Sequence, residues 1–354
     1  MSTAYSIEPV IEADLPIVDP HHHLWFRPEA VLAALDQEPS ITTRVLMPTF
    51  RRHARYLLDE FLADLRTGHN IRATVYVEVH SMYRTRGPAA MQSVGEVEFA
   101  NGVAAMAASG AFGDIAVCAG IVGSVDLRLG DAARDVLLAH VQAGGGRYRG
   151  IRAKAVVYDK DPEILGPNFG GAPHLLLDAK FREGFRHLEP LGLSYDAWQL
   201  EYQLGELVDL AHAFPHTQII VNHVGGLFGL GGYSGRMEQR FAHWRDNIRA
   251  LARCPNVAMK LGGLGMPMCA LPSSFAPSPP NSIELANDWR PYIETCIEAF
   301  GADRCMFESN FPVDAATTSY AVLWNAFKRI VGGASATEKT ALFSGTARRI
   351  YRID

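Results

Sequence analysis

The sequence has few cysteines, and none of them is arranged for a disulfide framework or a metal clip. Its 354 residues include five cysteines, an odd number, and no two of them form a C-x-x-C pair. Domains that depend on disulfides, and small zinc modules, carry paired or closely spaced cysteines. We therefore expect reduced thiols in a cytoplasmic protein.

A basic block, a leader segment and a long uncharged apolar run are also missing. Lysine and arginine number 33 against 38 aspartate and glutamate, which gives a formal net charge of −5. Nucleic-acid-binding proteins typically carry a basic patch. The first residues lack a basic region followed by an apolar run, which is typical of a secretory signal. The least charged stretch, 102–127, contains Asp114 and several glycines. We expect no nucleic acid and no membrane as partners.

Short apolar or β-branched runs recur along the whole chain and indicate strands. They cover 16–21, 71–79, 115–122, 148–156, 192–198, 218–223, 256–261 and 304–310. Segments with helical periodicity separate most of them, at 54–66, 95–108, 131–142, 204–213, 237–252 and 283–299. Such alternation predicts βαβ units and a parallel sheet.

Eight strands with crossover connections predict a (β/α)8 TIM barrel, a single domain over residues 1–354, with an extra helix at 335–343. The alternative is a doubly wound open sheet, which is disfavoured because no G-x-G-x-x-G follows the first strand. The loops at 158–174, 225–235 and 266–282 are long, and barrels place catalysis in the loops after their strands. The last of these loops is rich in proline and serine, as in a lid or a plain surface loop.

The strongest motif is Asp19-Pro20-His21-His22-His23, at the end of the first predicted strand. Because side chains alternate along a strand, Asp19, His21 and His23 are expected on one face. Two imidazoles at i and i+2 at a barrel mouth suit one divalent ion, and Asp19 would orient one of them. A hydrogen-bonded structural histidine cluster is the alternative.

A further histidine follows the sixth predicted strand. His223 stands after the apolar run IIV and before a glycine turn, so it is expected at the same rim of the barrel. A single histidine after a strand is often structural. Together with the pair on the first strand, His223 is a candidate ligand or catalytic residue.

Three segments together resemble a known family. DPHHHLW, NHVGG and MFESNFPVD, at the ends of strands one, six and eight, are similar to the amidohydrolase superfamily. The likeness is greatest to its lactonase-rich branch, with sugar-acid lactonases, 2-pyrone-4,6-dicarboxylate lactonase and sulfomuconolactone hydrolase. It implies that His21, His23 and His223 are the active-site histidines. In metal-dependent members these bind zinc or a similar divalent ion, whereas some lactonases work without metal; both readings stay open.

The sequence departs from that family at the end of strand eight. The usual aspartate, which takes the proton from the attacking water, is matched here by Asn310. A neutral amide cannot act as a general base. Glu308, two residues earlier on the same predicted face, is the first candidate for a replacement base or ligand, unless it pairs with a barrel lysine. Asp314 is the second candidate.

Polar residues on other strands predict a charged pocket for substrate. The candidates are Glu78 and His80 on strand two, Arg84 in the loop after it, Arg152 and Lys154 on strand four, Asp196 and Trp198 on strand five, and Lys260 on strand seven. Buried charges need partners, so these groups either pair with each other or contact an anionic ligand. A loop arginine such as Arg84 suits a substrate carboxylate.

The resemblance, with these residues, predicts a hydrolase that opens a carboxylate-bearing or sugar-acid lactone. Water would attack the carbonyl after deprotonation by a carboxylate or activation by a metal ion, and basic residues would hold the anionic group of a small substrate. The alternatives are a metal-dependent decarboxylase or amide hydrolase on the same barrel, and a binding protein without turnover. A homo-oligomer is left open.

Overall fold

Eight parallel strands, paired in chain order, form the centre of the molecule. The structure is a computed structural model that describes residues 8–37 and 40–354. We number the strands β1 to β8: Ile17–His22, Ile71–Val77, Ala116–Gly123, Tyr148–Arg152, Ser194–Ala197, Ile219–Val221, Val257–Leu261 and Cys305–Phe307. Each lies within, or within one residue of, a predicted run, because strands buried on both faces read as continuous apolar segments.

The sheet closes on itself just beyond β8. Phe311 forms a parallel bridge with His22, its carbonyl accepts a hydrogen bond from His23 N at 2.8 Å, and Asn310 N donates to His21 O at 2.9 Å. These bonds join the first strand to the end of the last, as barrel closure requires. The prediction of a (β/α)8 TIM barrel is confirmed, and the open doubly wound sheet is wrong.

Helices surround the barrel. They span Glu29–Asp36, Ile41–Arg52, Leu58–Leu65, Val94–Ala108, Ala133–Ala143, Pro162–Phe169, Ala179–Phe185, Leu204–Ala213, Met237–Ala252, Ser282–Phe300 and Tyr320–Ile330. In the described part of the chain, no helix is both long enough and apolar enough to cross a membrane. The first two helices lie in the loop after β1, where a two-stranded ribbon also pairs Trp25–Phe26 with Arg55–Tyr56. Neither the ribbon nor those two helices was predicted.

The C-terminal segment is helical, as expected for 335–343, but it is not one regular helix. Helix Ala336–Thr340 leads into a π-helical turn, Ala341–Gly345, and then into helix Thr346–Tyr351. Tyr351 packs inside the barrel in one apolar cluster with Val18. This segment therefore covers the barrel at the end where the strands begin.

A buried carboxylate reinforces the junction between β1 and β8. Asp19 accepts hydrogen bonds from Ser309 N at 3.0 Å, Ser309 Oγ at 2.6 Å and Tyr320 OH at 3.0 Å. Burial raises the pKa of Asp19 to about 6, and these donors act against that rise. The pairing of β1 with β2 shifts register between Asp19 and His22, so simple alternation fails there. Asp19 Oδ1 accepts from the backbone N of His21 at 3.3 Å, and among the described residues it forms no hydrogen bond with either imidazole ring, so the prediction that Asp19 orients one of these rings is wrong.

Another buried polar group joins a helix to the barrel. His140 contacts Ser93 Oγ through Nε2 and Tyr148 OH through Nδ1, both at 3.0 Å. Its side chain has no solvent exposure. Burial lowers the pKa of His140 from 6.5 to about 4, with a smaller contribution from Arg84. The native protein therefore holds this imidazole neutral.

We expect Asp19→Ala to lower the free energy of unfolding by about 3 kcal/mol, because it leaves buried donors of Ser309 and Tyr320 unpaired. Asp114→Ala, which removes an exposed carboxylate 3.7 Å from Arg72, should change it by less than about 0.5 kcal/mol. Urea unfolding measures both. Equal effects of the two substitutions would contradict a closing role for Asp19.

We expect His140→Gln to reduce the dependence of stability on pH. Because the folded-state pKa is lowered, the unfolded chain binds a proton first, and stability is lost as the pH falls through 6.5. Between pH 7 and pH 5 this histidine accounts for a loss of about 2 kcal/mol in the free energy of unfolding. Urea unfolding at both pH values should show the wild type losing more than the variant by about that amount; identical losses would refute it.

Candidate active site

Three of the predicted histidines meet at the end of the barrel where the strands finish. The ring centroid of His21 lies 4.9 Å from that of His23 and 4.6 Å from that of His223. All three side chains are buried. His22 points the other way and stacks on Phe61, with ring centroids 4.1 Å apart. The cluster therefore consists of His21, His23 and His223.

A buried glutamate lies beside two of these rings. Glu308 Oε1 accepts from His223 N at 3.0 Å and faces His223 Nδ1 at 2.8 Å. Its Oε2 lies 2.6 Å from His21 Nδ1, but not along an N–H direction, and in the described structure this oxygen makes no hydrogen bond. Lys260 pairs with Asp196 instead, at 2.7 Å. Glu308 thus contacts the histidines and not a lysine.

Glycines after β7 make this contact possible. A β-carbon at Gly263, whose φ is +67°, would collide with the ring of His223, and one at Gly262 would collide with Glu308. His223 itself has φ +56° and begins a tight turn. Non-glycine residues with a positive φ are uncommon and often mark functional sites. The local backbone is therefore shaped around the pair formed by His223 and Glu308.

The partner of His223 assigns the position of the hydrogen on its ring. His223 directs Nδ1 at a carboxylate, so Nδ1 carries the hydrogen and Nε2 is left as an acceptor. His21 Nδ1 lies 2.6 Å from Glu308 Oε2 and 3.5 Å from Lys260 Nζ, and its Nε2 is 3.3 Å from Arg152 Nη1, a donor. Burial lowers the pKa of His21 and of His23 well below the usual value, and nearby cations lower it further. Both rings are therefore neutral.

The third ring faces the amide that replaces the expected aspartate. His23 Nδ1 donates to Val77 O at 2.8 Å, and its Nε2 lies 3.3 Å from Asn310 Oδ1. Asn310 Nδ2 donates to Asp314 Oδ1 at 2.7 Å, while Asp314 Oδ2 accepts from Gly265 N at 3.0 Å. Two acceptors, His23 Nε2 and Asn310 Oδ1, thus face each other and need a shared hydrogen donor or a cation.

Asp314 holds that amide in place and does not reach the cavity. Its side chain is fully buried, and it is not part of the cavity wall. Burial raises the pKa of Asp314, while the N–H groups of Asn310 and Gly265 lower it by binding the carboxylate form. As the second candidate base, Asp314 would act only through Asn310.

Two of the predicted pocket cations are already neutralised inside the barrel. Arg152 Nε donates to Glu78 Oε1 at 2.7 Å, and Lys260 Nζ lies 2.7 Å from Asp196 Oδ1. Tyr351 OH also donates to Asp196, at 2.9 Å. Arg152 and Glu78 line the cavity, whereas Lys260 and Asp196 lie outside its wall. These pairs form the internal ion-pair network that was one of the two alternatives, and Arg152 and Glu78 also face the cavity.

The remaining predicted substrate residues fall in different places. His80 and Trp198 line the cavity, and both are partly exposed. Arg84 is outside the cavity wall, on the surface, where its Nε donates to Glu98 Oε2 at 3.0 Å. The side chain of Lys154 lies outside the described part of the structure.

A cavity of about 410 Å³ opens beside the histidines. Its polar lining includes His23, His223, Asn310, Glu78, Arg152, His80, Ser81 and Arg27. Its apolar lining is Trp25, Phe26, Val31, Leu35, Leu46, Phe50, Val79, Met82, Phe169, Trp198, Met266, Met268 and Val313. Met266 and Met268 come from the loop considered as a lid. The aromatic wall and Arg27 were missed, although the run HLWFR after the histidine motif was a visible signal.

The residues present fit a divalent ion. Ligand atoms of His21, His223 and Glu308 all lie within 4.8 Å of one another, and all three residues are buried. Imidazole and carboxylate are the donors of many zinc sites. Glu308 Oε2, which accepts no hydrogen bond among the described residues, is available as a ligand atom. The two cations beside His21, Arg152 and Lys260, carry their own carboxylates.

Comparison with known proteins places this chain in a family. Residues 18–353 match the sequence profile described as Amidohydrolase. The chain is 34% identical over 345 residues to the uncharacterized protein y4mH of Sinorhizobium fredii, covering 96% of this chain and all of y4mH. It is 29% identical over 189 residues to the L-fucono-1,5-lactonase of Burkholderia multivorans, covering 50% of this chain and 57% of that enzyme.

Solved structures agree on the fold. An amidohydrolase from Burkholderia multivorans, crystallised with bound zinc, superposes with a TM-score of 0.68 at 24% sequence identity, covering 96% of this chain and 99% of that one. At this identity the likeness concerns the barrel alone. With the profile matching nearly the whole chain and the histidine cluster at the strand ends, the chain belongs to the amidohydrolase family.

Proposed function

We propose that this protein hydrolyses a lactone, that His223 accepts the proton of the attacking water, and that Glu308 positions His223. The observation that carries the proposal is the contact between these two residues. The buried carboxylate holds Nδ1 of an imidazole whose ring lines the cavity. A histidine oriented in this way by a carboxylate is a recurrent device for general-base catalysis.

The electrostatics favour proton acceptance at His223. With its hydrogen on Nδ1, the ring offers the lone pair of Nε2, which makes no hydrogen bond within the described chain. Glu308 is buried and accepts two hydrogen bonds from the same residue, from the backbone N–H and from Nδ1. Its negative charge stabilises the imidazolium that forms when Nε2 takes up a proton.

The pair of acceptors on His23 and Asn310 can bind the attacking water. His23 Nε2 and Asn310 Oδ1 face each other at 3.3 Å, and both residues line the cavity. A water molecule there has one hydrogen for this pair and one for His223. Asn310 thereby orients the nucleophile, a task that a neutral amide can perform although it cannot remove the proton.

Arg152 is placed to stabilise the charge on the carbonyl oxygen. Three of its N–H groups point at Glu78 Oε1, Glu78 O and His21 Nε2. A guanidinium has five N–H groups, so two are left for a ligand. Fixed donors at a developing oxyanion are among the largest contributions to catalysis. Because Glu78 and His21 hold the guanidinium, it needs no rearrangement during the reaction.

The reaction can be completed by these residues and one water molecule. The oxygen of water bonds to the carbonyl carbon, the bond from that carbon to the ring oxygen breaks, and the proton taken by His223 passes to the ring oxygen. The product is a hydroxy acid, and no redox partner is needed. The lactone is favoured over other carbonyl substrates by the 29% identity to an L-fucono-1,5-lactonase over half of this chain.

The same donor set offers a second use of His223. A divalent ion held by His21, His223 and Glu308 would supply Lewis-acid polarisation of a carbonyl oxygen when bound. In that case His223 is a ligand and not the base. The two roles are separable by experiment.

We expect His223→Gln and Glu308→Gln each to lower lactone turnover at least about 100-fold, the usual contribution of a general base. A pH-indicator assay on a panel of sugar lactones and aromatic-ring lactones, L-fucono-1,5-lactone included, measures this. His22→Gln is the matched control, since it alters the neighbouring histidine that stacks on Phe61 outside the cavity. Full turnover by either site variant would contradict the proposed pair.

We expect turnover to survive dialysis against a chelator, because the proposed base needs no ion. Metal analysis of the purified protein and assays before and after chelation check this. Loss of activity on chelation, restored by about one equivalent of zinc, would make His223 a ligand and refute its role as base. Turnover of carboxylated aromatics or amides with inert lactones would favour the decarboxylase or amide-hydrolase alternative.

A further inference from the structure

Arg27 is a cation in the cavity wall that sequence reasoning did not single out. Its backbone N donates to Ala54 O at 2.6 Å, at the ribbon that follows β1. Its guanidinium carbon lies 4.1 Å from the centre of the Trp25 ring and 3.6 Å from that of the Phe50 ring. Two aromatic side chains therefore hold this cation at the edge of the cavity.

No described carboxylate neutralises this charge. The ion pairs found among residues 8–37 and 40–354 do not include Arg27, and its Nη1 atom is buried without a hydrogen-bond partner there. Arg152, the other arginine of the cavity wall, has Glu78 at 2.7 Å. Burial lowers the pKa of Arg27 to about 9, which leaves it charged at pH 7.

Arg27 is half-buried, and a buried N–H group of a cation is unfavourable without a hydrogen-bond partner unless an anion meets it. Contact with aromatic rings holds a guanidinium in place and offsets part of its desolvation. It does not supply hydrogen-bond acceptors for the N–H groups, which lie in the plane of the guanidinium. Those N–H groups form a fork that matches a carboxylate. The unfilled hydrogen-bonding capacity at Nη1 therefore points to an anionic ligand in the cavity.

We propose that Arg27 binds a carboxylate of the substrate, so that the preferred substrate is a lactone carrying a carboxylate away from the bond that is cleaved. This inference rests on the proposed lactonase function and adds the substrate class. Trp25 contacts both ends of the arrangement, since its ring centre is 6.3 Å from that of His23 and 4.1 Å from the guanidinium. One small molecule can therefore span the reacting histidines and the anion site.

The apolar wall defines the rest of that molecule. Phe26, Leu46 and Phe50 line the same cavity, and the ring of Phe50 lies 3.6 Å from the guanidinium carbon of Arg27. They favour a flat or apolar ring next to the carboxylate over a fully hydroxylated sugar chain.

Arg27→Met is expected to act on the charge of the ligand and not on the chemistry. With a carboxylate-bearing lactone, such as a furanone acetic acid, KM should rise about tenfold or more while kcat changes less, because a charge-assisted hydrogen bond is lost. With the methyl ester of the same lactone, the variant and the wild type should be nearly equal. An equal loss on acid and ester would overturn the proposal.

A matched control removes an arginine from the partner strand of the same ribbon. Arg55 pairs with Phe26 in the ribbon, and its exposed side chain contacts Asp59 and Glu60 instead of the cavity. Arg55→Met should leave the preference of the enzyme for acid over ester unchanged. Arg27→Lys, which keeps a charge and lacks the planar fork, should retain part of the preference; if Arg27→Met fails to fold, this variant carries the comparison.

Equilibrium binding separates this inference from the lactonase proposal. Benzoate and its neutral analogue benzamide serve as probes in titration calorimetry. Wild type and Arg55→Met should bind benzoate about tenfold more tightly than benzamide, and Arg27→Met should bind the two equally. No preference in the wild type, or the same preference in Arg27→Met, overturns the anion site. A preference that depends on Arg27, with every lactone inert, would keep the anion site and refute the lactonase.

Discussion

Charges buried inside the barrel must be balanced within a few ångströms, because little water reaches them. Two carboxylates meet this demand with cations: Glu78 with Arg152 and Asp196 with Lys260, each at 2.7 Å. Glu308 differs from these two, since its contacts are the imidazoles of His21 and His223, and burial lowers the pKa of His21. A buried carboxylate held between two imidazoles can stabilise a divalent ion, or the positive charge that His223 acquires in the proposed reaction. The chemistry proposed for the site depends on this imbalance.

That division of charge separates the site into two parts. The strand ends carry the paired groups and histidines, held by backbone geometry and by glycines such as Gly263. The loop after β1 carries Trp25, Arg27 and Phe50, which form a wall with one stacked cation. Rigid strand ends suit a reaction that needs fixed donors, whereas loop residues set which ligand fits. Chemistry and specificity are thus carried by different elements.

Much of the fold could be predicted because buried parallel strands and amphipathic helices leave local patterns. The run IIV before His223 and the run before Glu308 mark strand ends within a residue or a few residues of their true positions. Alternation failed at Asp19, because the register shift before His22 depends on the pairing with β2. Such a shift is set by contacts between strands and has no signature within one strand.

The sequence could not predict which groups the site residues contact through hydrogen bonds. The sequence showed only that Asn310 cannot act as a general base. In the structure its amide donates a hydrogen bond to Asp314, and Asp314 accepts another from the backbone N–H of Gly265. This chain of contacts joins two loops far apart in sequence. With the aspartate replaced by an amide, the carboxylate of Glu308 contacts the reacting groups only through imidazoles. In the proposed reaction proton transfer therefore moves from the strand-eight carboxylate to His223, and Asn310 keeps only the task of orienting water.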